Sequence, residues 1–259
     1  MNIINKHNRW IFPIITLIVV LIFWEVIVQL ADIPIYQLPA PSKIFATIIQ
    51  NLASLIKDTT ITFIEAILGF LLANILSIII AIGFTHSEIF ERSFYPYAIA
   101  LKSIPIIAIA PLLVLWFGYG LLGKIVMAAI ISFFPLVVNA TLGLKSANQE
   151  YIDLMKSLSA NKRQILFKLR FHIAIPYIFS ALKISSTLSV VGAIIGEMTG
   201  AKQGIGFVIL MASYNINTPM LFAAIIFASA LGIIFFGLMS ITESIFFRNY
   251  SHIQKKELL

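Results

Sequence analysis

The chain contains no cysteine, which removes disulfide frameworks and thiolate metal or redox sites from consideration. Charge is nearly as scarce. Asp, Glu, Lys and Arg together make up 11% of 259 residues, well below the roughly 25% of an ordinary soluble domain. The four histidines, His7, His86, His172 and His252, are scattered without metal-ligand spacing. No nucleophile and base share one face, so the sequence gives catalysis within the chain no support.

What is present is apolar. Hydrophobic residues account for 60% of the chain and the mean hydropathy is +0.99, values of an integral membrane protein. The apolar runs are about 20 residues long, the length of a spanning helix; barrel strands would be about 10 residues with polar alternation. The expected fold class is therefore an all-α membrane protein, with no room for a soluble catalytic domain. A formal net charge of +7 would suggest nucleic acid in a soluble protein. Here the basic residues cluster in connecting segments, as cytoplasmic-loop bias requires.

Taken in order, a polar start with Lys6 and Arg9 leads into an apolar run over 10–30 that carries Glu25 near its far end. The run is too long for a signal-peptide core, so an uncleaved first helix is expected. The proline-rich stretch 32–42 reads as an extended loop, and 43–58 as a mildly amphipathic surface helix. A second span is expected over 59–84 with Glu65, a short polar link over 85–92, and a third span over 95–117. Pro105 and Pro111 in that span free backbone groups that neighbours or water must satisfy. The fourth span is placed at 121–144, the fifth at 173–195 and the sixth at 220–247, with a Gly-rich link over 196–219.

About six spans put both termini on one side. With the N-terminus inside, the inner segments hold Lys6, Arg9, Arg92, the basic residues from Lys145 to Arg170, Arg248, Lys255 and Lys256. The outer ones hold Lys43, Lys57, Lys124 and Lys202. That asymmetry assigns the polar stretch 148–176 to the cytoplasm.

Residues 118–124, GYGLLGK, fit G-x-G-x-x-G and most of a phosphate-binding loop. Ile125 stands where a magnesium-binding Ser or Thr is needed, no strand precedes the glycines, and the turn falls on the outer face. It reads as a tight turn between spans. Glu25, Glu65, Glu197 and Lys183 are ionisable residues at or near membrane depth and hence candidates for translocation or gating. The three carboxylates fall toward the outer ends of their spans, where snorkelling or an ion pair is cheap. Lys183 lies roughly 15 Å of helix rise into the fifth span, where it meets an anionic substrate, pairs or snorkels.

The polar stretch NQEYIDLMKSLSANKRQILFKLRFHIAIP is the longest charge-bearing interval of the chain. Apolar residues near helical spacing (Ile152, Met155 and Leu158, then Ile165, Leu166 and Leu169) make it two short amphipathic helices broken at Ser159–Ala160–Asn161. It reads either as a docking surface or as a solvated or headgroup-level segment.

These pieces resemble the membrane permease subunit of bacterial binding-protein-dependent ABC importers, and within that family the branch taking up sulfonates, taurine, nitrate or pyrimidine precursors of thiamin. Leu38-Pro39-Ala40-Pro41-Ser42 is similar to the "LPSP" after the first span. Ile104-Pro105 through Ala110-Pro111-Leu112, with Leu115 to Gly120, resembles the third span and its turn. Glu197 to Gly200, followed by Gly204-Ile205-Gly206, resembles "E-x-x-G … G-L-G". The polar stretch occupies the place of the cytoplasmic "E-A-A-x-x-x-G" loop. There Asp153 stands for Glu, Leu154 and Met155 for two alanines, and Ser159 for Gly; His172 replaces the first of two prolines and Pro176 keeps the second.

The resemblance implies a type I importer permease fold with a single transmembrane permease domain over 10–247. A cytoplasmic N-terminus (1–9) and tail (248–259) flank it, and the coupling region is 148–170. It implies that a separate cytoplasmic ATPase, which binds the ATP and magnesium, seats the 148–163 helix through Glu150, Ile152, Asp153, Met155, Leu158, Ser159 and Ala160. It implies an extracytoplasmic substrate-binding protein docking near 196–219, a second permease copy, surrounding membrane lipid, no cofactor in this chain, and a place in the bacterial cytoplasmic membrane. The competing readings are a secondary carrier coupling protons through Glu25, Glu65 or Glu197, a membrane-embedded enzyme or assembly factor, and the coupling subunit of a vitamin importer.

Overall fold

A computed structural model describes residues 8–257, with side chains from 11 to 248 except at 98–99 and 101–103. Lys6, His7 and Arg9, and with them the reading of 1–9, lie outside the described residues or side chains, as do the side chains of His252, Lys255 and Lys256. The described chain is helical throughout: α1 (Asn8–Leu30), α2 (Pro41–Gln50), α3 (Leu52–His86), α4 (Glu88–Ser103), α5 (Ile106–Phe117), α6 (Leu121–Lys145), α7 (Gln149–Ser157), α8 (Lys162–Ile165), α9 (Phe171–Met198), α10 (Ile205–Tyr214) and α11 (Thr218–Glu257). A π-helical turn, Leu166–Arg170, joins α8 to α9, so residues 162–198 form one continuous rod.

Five of these helices are long and apolar enough to cross a membrane. The segment expected as one spanning helix over 95–117 is instead two helices, α4 and the shorter apolar α5, parted at Ile104–Pro105. Pro105 brings no N–H and its ring displaces the preceding turn, so the helix stops there and restarts. Pro111, inside α5, is absorbed without a break. The link expected over 85–92 contracts to Ser87. The surface helix expected over 43–58 divides at Asn51, its second half being the opening turns of α3. In the Gly-rich link 196–219 the structure places α10, a short apolar helix the sequence reading lacks.

The centre is built from α3, α6 and α9. Their contact is a small-residue one: a Cβ on Gly69 would stand 2.4 Å from Ala128 Cβ, and one on Gly192 2.6 Å from Ala128 Cα. Between spanning helices, where lipid competes equally for apolar side chains, such close approach is what packing depends on. One end of this core holds Ala81, Leu136, Leu144, Leu166 and Ala174. The other holds Ile44, Leu55, Ile205 and Ala223, which seat α2, α10 and α11 against α3. α1 stands at the margin with most side chains exposed, anchored by Trp24 against Phe222 at 5.6 Å between ring centroids.

Candidate functional site

At the end of the bundle that carries α10, the polar residues converge on that helix's first turn. A helix of ten residues leaves its leading N–H groups without intrahelical partners, and within an apolar bundle no water replaces them. Three remote side chains do. Gly204 N donates to Asp58 Oδ1 at 2.9 Å, Ile205 N to Thr62 Oγ1 at 2.9 Å and Gly206 N to Glu197 Oε2 at 2.7 Å. Thr62 Oγ1 in turn donates to Glu197 Oε1 at 2.7 Å. Carboxylates at a helix N-terminus also meet the positive end of its dipole.

The glycines follow from the same geometry. Gly204 has φ +103°, and a Cβ there would stand 2.0 Å from Glu197 Oε1; one on Gly206 would stand 2.4 Å from the Ile194 carbonyl. The E-x-x-G … G-I-G pattern thus describes one object, a carboxylate at the end of α9 clasping the start of α10.

Beside this clasp, Lys124 Nζ reaches Glu65 Oε1 at 2.8 Å, and both residues are buried. Lys124, counted by the sequence reading among outer loop charges, is in the first turn of α6 and holds α6 to α3. The GYGLLGK segment is a turn at Gly118–Gly120, between α5 and α6. Glu25 accepts from Ser42 N at 2.9 Å and Ser42 Oγ at 2.7 Å, fixing the first turn of α2. Lys183 donates to Glu243 at 2.7 Å and ties α9 to α11. Asp58, Thr62 and Glu243, absent from the sequence reading, carry no local signal; their partners lie 146, 143 and 60 positions away.

At the opposite end stands α7. Asn148 caps it by accepting from Glu150 N at 3.1 Å. Its C-terminus closes as a Schellman motif, with Ala160 N donating to Met155 O and Ser159 N to Lys156 O, each at 2.9 Å. Ser159 occupies the left-handed position of that motif, φ +60°, the place where glycine is usual. Asn161 and Gln164 then form a reciprocal capping box at the start of α8. Lys145 pairs with Glu91 at this end and ties α6 to α4.

The outward apolar face of α7 differs from the expected one. Ile152 is only 6% exposed, held against the chain itself, and Met155 is half-buried. The residues presented are Tyr151 and Leu154, each 57% exposed, and Leu158, 74% exposed. Glu150, Asp153, Ser159 and Ala160 flank this strip; Lys156 at 3.0 Å and Gln149 hold the Asp153 carboxyl below the ordinary carboxylate range. Among the described residues, no three His, Asp or Glu side chains group closely enough to hold a metal.

Residues 73–245 match the family described as binding-protein-dependent transport system inner membrane component. A probable ABC transporter permease protein of Haemophilus influenzae is 32% identical, over 84% of this chain and 89% of its own length. The formylaminopyrimidine transport permease protein ThiX of Halalkalibacterium halodurans is 33% identical, over 90% and 93%. The riboflavin transport system permease protein RibX of Chloroflexus aurantiacus is 31% identical, over 82% and 80%. With its spanning helices, its clasped α10 and its exposed α7, the chain belongs to the inner-membrane permease components of binding-protein-dependent ABC transporters.

Proposed function

We propose that this chain, paired with a second copy, forms the translocation pathway of an ATP-driven importer of a small solute and couples to a separate cytoplasmic ATPase through α7. The observation that carries the coupling role is the exposed strip Tyr151, Leu154 and Leu158. It is an i, i+3, i+7 row of the kind that seats a helix in a groove. The strip ends at Ser159, where the Schellman turn redirects the chain into the rod of residues 162–198. ATP and magnesium are bound by the ATPase, and this chain contributes no catalytic group.

Orientation follows from charge: the end bearing α7 collects the basic residues from Lys145 to Arg170, which supports a cytoplasmic placement of that end and of both termini in a bacterial cytoplasmic membrane. The opposite end, with α10 and residues 196–219, is then where an extracytoplasmic binding protein delivers solute. The proton-carrier alternative loses its agents. Glu25 and Glu197 are engaged in holding helix starts, and Glu65 in an ion pair.

The test is co-purification from the native membrane in mild detergent. A soluble ATPase should accompany the wild-type chain and be lost from Leu154→Lys and Leu158→Lys, with membrane insertion unchanged. Retention of the ATPase by both variants would refute the coupling role.

A further inference from the structure

Residues 162–170 carry Lys162, Arg163, Lys168 and Arg170 and no carboxylate. At the same end of the bundle Arg92 is matched to Glu88, Lys145 to Glu91 and Lys156 to Asp153. Glu150 stands in the first turn of α7, where the helix dipole favours it. Lys162, Arg163, Lys168 and Arg170 have no ion-pair partner among the described residues.

The segment turns its apolar residues toward the bundle. Ile165 and Leu166 are buried, and Leu166 joins Leu136, Leu144 and Ala174 in one cluster. Leu144 is followed by Lys145, the last residue of α6, so this is the depth at which apolar spans give way to polar chain. On the other side Lys162, Arg163 and Lys168 are exposed and Arg170 is half-buried. Phe167 is 48% exposed among them, with the Arg163 guanidinium 5.9 Å from its ring centroid. Cations around an outward ring, at the start of a run apolar enough to span, suit the boundary between headgroups and acyl chains. The strip assigned to the ATPase, Tyr151, Leu154 and Leu158, carries no cation and lies on α7, across the Schellman turn from this segment.

We propose that Lys162–Arg170 is a docking surface for anionic phospholipid headgroups, with Phe167 seated in the acyl layer beneath them. Arg163 and Arg170 present forks that match phosphate oxygens in pairs, and Lys162 and Lys168 add point charges. Charge selects this occupant: a zwitterionic headgroup offers these cations no net charge, and an anionic one does. The π turn Leu166–Arg170 lies inside the surface, so bound lipid steadies the junction between α8 and α9. The surface belongs to the chain in its membrane and does not depend on the importer reading.

The experiment is hydrogen exchange over residues 162–170, read by mass spectrometry on the full chain in nanodiscs. One set of discs is pure phosphatidylcholine and the other a mixture with phosphatidylglycerol. Each is measured before and after a urea wash that strips peripheral subunits. Exchange should be at least about fivefold slower with phosphatidylglycerol, the factor that one cation near an anionic surface supplies. The slowing should survive the wash and fade as salt rises toward about 1 M, where screening acts within about 3 Å. It should be absent when Lys162, Arg163, Lys168 and Arg170 are all exchanged for Gln, while α10, at the far end, should exchange alike in both discs. The salt series needs no variant, so a variant that fails to insert leaves the test intact.

Equal exchange over 162–170 in the two lipids would overturn the proposal, as would a difference indifferent to salt or shared by α10. Slowing that is present in both lipids and lost on the urea wash would assign the surface to an acidic face of the ATPase instead, and would overturn the lipid.

Discussion

Glu197 Oε2 lies 2.7 Å from the amide of Gly206, and its other oxygen accepts from Thr62, so this carboxylate acts as an acceptor for two donors. Replacing it by alanine orphans both, at about 1–3 kcal/mol for each buried donor. Glutamine keeps one acceptor oxygen. Thermal unfolding in detergent should therefore rank wild type above Glu197→Gln, and Glu197→Gln above Glu197→Ala. A proton-carrying role predicts the reverse emphasis: unchanged stability in Glu197→Gln with loss of gradient-driven uptake.

The Lys124–Glu65 pair is buried, and removing one partner leaves an unpaired charge. Lys124→Met alone should cost about 3–5 kcal/mol, whereas Lys124→Met with Glu65→Leu should recover most of the loss. A double-mutant cycle of melting temperatures measures this; simple additivity would show that the ion pair is not the interaction holding α6 to α3 here.

Ser159 holds a left-handed backbone that costs an L-residue roughly 1–2 kcal/mol. Ser159→Gly should stabilise the turn by about 1 kcal/mol, seen as slower hydrogen exchange at the amides of Ser159 and Ala160, and Ser159→Val should do the opposite. Equal exchange in all three would place the strain elsewhere.

The Asp153 carboxyl, held low by Lys156 and then Gln149, contributes to α7 when ionised. Its contribution is full above the ordinary carboxylate value of about 3.9 and is lost as pH falls through the lower value in the folded protein. ATPase retention should thus stay flat from neutral pH to about pH 5, so far as Asp153 governs it, and Asp153→Asn should behave alike across that window. A steep loss near pH 6 confined to the wild type would contradict this.

Ile152 and Leu154 should respond differently to the same change. Ile152→Lys forces a charge against the chain's own packing and should lower protein yield. Leu154→Lys alters an exposed position and should spare yield while removing the ATPase. Western blots of membrane fractions beside the co-purification separate the two.

Much of this was legible in the sequence, for physical reasons. Crossing a bilayer demands about 20 apolar residues, so α1, α3, α6, α9 and α11 announce themselves. The Glu197 and Gly204–Gly206 pattern is visible because close approach tolerates few residue types. α10 is not visible, since a mostly apolar stretch of ten residues behind a glycine loop matches a link as well as a helix. The exposed row of α7 is Tyr151–Leu154 and not Ile152–Met155, a difference the sequence does not show because the two are adjacent helical rows and only the position of the bundle decides between them. Asp58 and Thr62 look like ordinary interfacial polar residues until the fold brings residue 204 beside them. The break at Pro105 was readable as disruption, though not as two separate helices.

The uninterrupted run from Lys162 to Met198, about 55 Å at 1.5 Å per residue, gives the molecule a lever. Its short arm begins at the Asn161 elbow beside α7, and its long arm ends in the carboxylate that grips α10. No loop lies between to absorb slack; the backbone ladder is interrupted at the π turn Leu166–Arg170 and at Pro176, which brings no N–H to α9. A tilt imposed on the elbow is therefore delivered to the far end as a displacement of the α10 clasp. Any insertion that softens residues 166–170 would leave both ends intact and uncouple them.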